Sequence, residues 1–119
     1  MAIATVGLRE TLATAYGTAG TWISCHTGAP GTTGANEQST TGSPAYARKA
    51  TTWSPGASDG VNNGLQVTID IPGGGPAITD IGLWTAATGG TFLDSYHLGT
   101  AQTFATQGQL LVTPSFSQT

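Results

Sequence analysis

Charge is what this sequence has least of. Only 8% of its 119 residues are charged, where an ordinary soluble domain carries about 25%. The basic residues are Arg9, Arg48 and Lys49, too few and too scattered to make the several phosphate contacts that nucleic-acid binding requires. Cysteine is nearly absent as well. Cys25 stands alone, which excludes an intrachain disulfide and suits folding in a reducing cytoplasm. No apolar run is long enough to span a bilayer, and MAIATVGLRE lacks the basic start and long apolar stretch of a signal peptide. Neither nucleic acid nor membrane is expected as a partner.

Threonine is the commonest residue, and glycine numbers 18. Many Thr and Gly with few charges favour strands joined by turns over a helix bundle. A surface with so little charge has little repulsion to keep copies apart, and suits a protein packed against copies of itself or against partners. The length predicts a single domain over 1–119, with an N-terminal arm and helix over 1–20 and a β-sandwich over 21–119.

The chain is organised around Ala77 to Leu98, where two apolar-rich arms flank Ala86-Ala87-Thr88-Gly89-Gly90. Gly-Gly supplies positive φ without steric cost, so this stretch predicts a β-hairpin. Ile81, Leu83 and Trp84 on the first arm and Phe92 on the second are expected in the core. Both arms are apolar on both faces and are placed in the middle of a packed sheet. Upstream, Leu8, Leu12, Ala15, Tyr16 and Ala19 fall at helical spacing, which predicts one short amphipathic helix starting at Thr5 and docking that stripe on the domain. In TWISCHT, Ile23 and Cys25 share one face, and Trp22, Ser24 and His26 the other. A loop of small residues runs from Gly28 to Ser43. PAYARKATTW at 44–53 reads as the next strand, with Tyr46 inward. The cleanest alternation puts Leu65, Val67, Ile69 and Ile71 inward. The last strand, 109–117, places Leu110, Val112 and Phe116 on one face, with Pro114 marking an edge or a bulge. The fold class is mainly β: a jelly-roll or immunoglobulin-like sandwich of six to seven strands with one short N-terminal helix.

No set of residues carries catalytic chemistry. Cys25 and His26 are strand neighbours and point to opposite faces, so they cannot act as nucleophile and base. Asp94 and His97 also face apart, and no nucleophile elbow precedes them. No zinc spacing is present, and Glu37 with Asp59 is too sparse for a calcium loop. The glycines at 73–75 and 89–90 lack the lysine and helix of a phosphate loop. No catalytic, cofactor or metal site is expected. Trp22, Trp53 and Trp84 would make a sugar-stacking platform only if they shared one exposed face. Trp84 reads as buried, whereas Trp53, at a strand end beside a loop, suits a contact with another subunit or a carbohydrate.

Three segments taken together carry a resemblance: WISCHTGAPGTTGANE at 22–37, SPAYARKATTW at 43–53 and DIGLWTAATGGTFL at 80–93. They resemble small structural proteins of actinobacterial phages, described as tail-fibre-like, minor tail or head-decoration proteins. Two positions depart from that pattern: Ala29 stands where an acid is common, and Cys25 where an aliphatic residue is usual. The resemblance implies a non-enzymatic virion component, made in the host bacterial cytoplasm. With one domain and no stalk or repeats, a capsid decoration role is expected, as a homotrimer bound to the major capsid protein. A minor tail or tail-fibre protein, in one form a carbohydrate-binding module, is the alternative. Candidate contacts are Ala2 and Ile3 in the Met1–Gly7 arm, Pro30 and Thr32 in the 28–43 loop, and Trp53 and Arg48. Arm and loop are expected to need a partner to order them.

Overall fold

The computed structural model describes residues 2–119. Its elements are α1 (Val6–Ala19), β1 (Trp22–His26), β2 (Lys49–Ala50), β3 (Trp53–Pro55), β4 (Val61–Gly64), β5 (Val67–Ile71), β6 (Ile78–Trp84), β7 (Phe92–Gln102), β8 (Gly108–Val112) and β9 (Ser115–Ser117). The fold is mainly β with one helix. Among the described residues nine strands form three antiparallel sheets, ordered β2-β1-β6-β7, β3-β4-β9 and β5-β8, where the sequence predicts six or seven strands in two.

The four-stranded sheet is built on β6, the first arm of the predicted hairpin. Ile23 lies opposite Leu83 and Cys25 opposite Ile81, so these four share one face, by the two-residue period of a strand. They join Tyr46, Val67, Ile69, Ile71 and Ile78 in one buried cluster. Each such isoleucine or leucine contributes roughly 2 kcal/mol by leaving water. The opposite face of β1 is also buried, because the 28–43 loop lies over it. Gly34 sits so close to the Trp84 indole that a Cβ there would strike it. Gly89 and Gly90 take φ of 61° and 73°, closing the β6–β7 hairpin.

Several expectations are corrected. Although the hairpin forms, β7 is an edge strand, and Leu93 and Tyr96 are exposed. Leu65 is not in the core but 66% exposed. Its amide donates to the Thr52 carbonyl, and the chain bends there between sheets before β5 begins at Val67. The stretch 44–53 is not one strand: only Lys49–Ala50 and Trp53–Pro55 are extended in ladders. Pro114 divides the last strand into β8 and β9, which pair in different sheets.

The helix is present but docks the other way. The Thr5 hydroxyl caps it, accepting from the Leu8 amide at 3.4 Å. Its buried residues are Ala13 and Gly17, while Leu8 and Leu12 are 50% and 38% exposed. At about 100° per residue the docked face is turned by roughly a third of a turn from the aliphatic stripe. Small size decides this. A Cβ at Gly17 would meet Asn62 and the Trp53 ring, and Asn62 Nδ2 donates to the Ala13 carbonyl at 2.9 Å. Only small side chains let the helix approach β3 and β4 this closely.

Candidate functional site

Two buried polar networks take up most of the reactive side chains. In the first, Trp84 Nε1 donates to Ser24 Oγ at 2.9 Å, and Ser24 Oγ lies 2.7 Å from His26 Nε2. His26 Nδ1 faces the Ala35 carbonyl at 2.8 Å. A carbonyl only accepts, so the ring proton sits on Nδ1 and Nε2 accepts from the Ser24 hydroxyl. The pair has the geometry of a nucleophile and base, yet both residues are fully buried. No substrate reaches them, and a Cβ at Gly82 would fill the space beside them. The network pins the 28–43 loop to the sheet. It went unseen in the sequence because Ser24 and His26 share a face at a spacing of two, too common a pattern to single out.

The second network centres on Arg48. Its Nε and Nη2 donate to the two Glu37 oxygens at 2.8 and 2.9 Å, and its Nη1 donates to the carbonyls of Ala86 and Gly89, both at 2.9 Å. The guanidinium lies 3.6 Å above the centre of the Trp84 ring. Tyr46 donates to Glu37 at 2.7 Å and accepts from the Cys25 amide at 3.1 Å. Burial would raise the Glu37 carboxyl, but hydrogen bonds from Arg48 and Tyr46 and the charge of Arg48 outweigh it and hold it below its ordinary value. The Cys25 thiol is pushed up to about 12, first by burial and then by the Glu37 charge. It is a core residue and inert. His26 and Glu37, Tyr46 and Arg48, and Trp84 with its hairpin come from the three segments that carry the sequence resemblance. Those motifs therefore encode a clamp inside the scaffold.

This corrects two of the candidate contacts. Arg48 is buried by its ion pair with Glu37. Pro30 is also buried, and its carbonyl accepts from the amides of Gly34 and Ala35. Within the chain the 28–43 loop is held by these bonds. Ala2 and Thr32 are exposed, and Ile3 is half-buried. The predicted arm is short, because Val6 and Gly7 already belong to α1. Its Ile3 amide donates to the Thr119 carbonyl at 3.2 Å, and its Ile3 carbonyl accepts from Arg9 Nε at 2.9 Å. Met1 lies outside the described residues. Trp53 is half-buried, with Nε1 donating to the Gly20 carbonyl at 2.9 Å. The three tryptophans form no common exposed platform: Trp84 is buried, and Trp22 and Trp53 are half-buried.

What the structure offers to a partner is an apolar groove of about 740 Å³ between β7 and the β8–β9 segment. Ile81 and Leu83 line it from β6, Tyr96 and Leu98 from β7, and Leu110 and Phe116 from the far side. At one end the Tyr16 ring stacks on Phe116 at 3.9 Å and donates to Asp94 at 2.7 Å. Burial, with the bond to Asp94, raises the Tyr16 phenol above its usual range. Within the described residues β7 pairs only with β6, β8 only with β5 and β9 only with β4. The groove therefore lies between unpaired strand edges. No group of three or more His, Cys, Asp or Glu side chains that could hold a metal comes together among the described residues. None of the described helices is long and apolar enough to cross a membrane.

The scaffold is β-rich and clamped from within, and its apolar groove lies along strand edges that have no ladder partner among the described residues. Residues 2–116 match the family of the podophage GP4 fiber I protein gp80, and the chain belongs to that family of phage fibre proteins. The match supports a structural protein of the virion and carries nothing about an actinobacterial host. No curated protein and no solved structure matches the chain.

Proposed function

We propose that this chain is a subunit of a virion fibre on the phage tail, in which copies associate through the groove between β7 and β8–β9. Membership of a fibre family supports the tail over the capsid surface, and with it the alternative reading over decoration. The observation that carries the assembly is the groove itself: about 740 Å³ of mainly apolar space beside the free edge of an 11-residue strand. That strand, FLDSYHLGTAQ, contains neither lysine nor proline, the residues that commonly protect a free edge. Closed rings of identical subunits need two unlike surfaces that fit one another. The chain has both, the groove and the exposed pair Leu8 and Leu12 that α1 leaves undocked. A second copy is thus the occupant, and three copies around an axis are the expected state. Light scattering on the purified chain tests this. Leu111 is exposed and lines the groove; a mass three times the 11.9 kDa chain, reduced to the single chain by Leu12→Glu or Leu111→Glu, is the expected result. A wild-type monomer at micromolar concentration refutes it.

A further inference from the structure

We propose that the cleft between α1 and the β3–β4 pair binds one neutral sugar ring. The cleft measures about 350 Å³, at the lower end of the range for small-molecule sites. Its lining contains no charged residue. Trp53 and Pro55 form an apolar wall, and threonines, among them Thr14, Thr18 and Thr52, supply hydroxyls at the rim. Beneath them lies Asn62, fully buried, with Nδ2 committed to the Ala13 carbonyl at 2.9 Å. Its Oδ1 has no partner within the structure. Buried polar atoms are nearly always paired, and Asn62 belongs to the cleft lining, so a donor seated against Asn62 would complete its hydrogen bonds.

The local sequence maintains this arrangement at some cost to the helix. Gly17 sits inside α1, where glycine is a poor helix former. Any Cβ there would collide with Asn62 and with Trp53. The indole is held in place by its bond to the Gly20 carbonyl and by its edge-on contact with Tyr16 at 5.7 Å between centroids. A fixed, half-exposed aromatic face, a buried acceptor and rotatable hydroxyls recognise a ring with an apolar face and outward hydroxyl donors. The absence of cations in the lining leaves an acidic sugar without a counter-charge, and the absence of carboxylates does the same for an amine. Neutral saccharides are the class that remains.

The cleft lies on a different side of α1 from Leu8 and Leu12, so the inference stands whether or not copies assemble. The test uses the full chain on an array of neutral and sialylated glycans. Thr14→Glu and Thr52→Glu each place a carboxylate at an exposed rim position without touching the core. The monomeric Leu12→Glu variant serves as the assembly control. Retention of neutral glycans, reduced at least tenfold by either rim variant and kept by Leu12→Glu on a per-chain basis, supports the proposal. Failure to retain any neutral glycan, or retention unaffected by both rim variants, overturns it. So does a crystal soaked in the best-retained sugar that shows only water at Asn62 Oδ1. Should light scattering find only monomers while neutral glycans are retained, the assembly reading fails and this one holds.

Discussion

Arg48 shows how one side chain can join segments far apart in sequence. It carries a charge beneath the surface, tied to Glu37 from the first loop and to two carbonyls of the hairpin tip. Removing one partner of such a pair leaves a buried charge uncompensated, which costs about 3 kcal/mol. Glu37→Gln should lower stability by that amount at pH 7 in urea unfolding. The same pair predicts a pH dependence. The Glu37 carboxyl lies below its ordinary value of 4.5 in the folded protein, so its contribution is present above that value and is lost as pH falls through the lower folded one. The gap between wild type and Glu37→Gln should therefore be full at neutral pH, shrink as pH falls below 4.5, and close only below the lowered folded value. A gap that stays constant down to pH 3 would mean that the carboxylate does not stabilise the clamp. Ser24→Ala probes the other network, since it leaves Trp84 Nε1 and His26 Nε2 unpaired together. A loss of about 3 kcal/mol is expected for two buried groups.

At the level of the element, packing partners overrule periodicity in two places. The alternation from Leu65 to Ile71 is regular, but only Val67, Ile69 and Ile71 are buried, because Leu65 lies before β5 begins and its amide is held by the Thr52 carbonyl. Leu65→Ser should therefore change stability by no more than about 0.5 kcal/mol. Val67→Asp, an unpaired charge in the core, should cost about 4 kcal/mol and abolish soluble folding. Similar losses for both would mean that Leu65 is inward after all. The helix makes the same point: its large residues are periodic, yet its small ones dock. Ala13 and Gly17 contribute little apolar area, so a hydrophobic count passes over them, though they alone permit contact with Asn62 and Trp53.

As a whole, the molecule is elongated, 47 × 24 × 24 Å with a radius of gyration of 15.0 Å, against about 13.5 Å for a globule of this length. An elongated subunit with one long free strand edge is suited to lie alongside its copies. Imaging of particles made with and without the protein separates the two virion locations. Density lost from the tail, with heads equally resistant to heat, is the expected outcome. Density lost from the capsid lattice, with heads made fragile, would restore the decoration reading.

The mainly β class, the hairpin with its Gly-Gly turn, the core positions Ile23, Tyr46, Val67, Ile69, Ile81 and Leu83 and the buried state of Cys25 were all legible in the sequence. Each follows from local chemistry: strand alternation, glycine's access to positive φ, and the scarcity of charge. The resemblance likewise placed the chain among phage structural proteins. The docked face of α1, the edge position of β7, the burial of Arg48 and Pro30 and the cleft over Asn62 were decided only by tertiary structure. Each depends on which distant groups meet. Long-range pairing sets which strand is left at an edge. Shape decides whether a small residue or a large one faces the core, and a charge can be buried only where a carboxylate and two carbonyls converge on it from other parts of the chain.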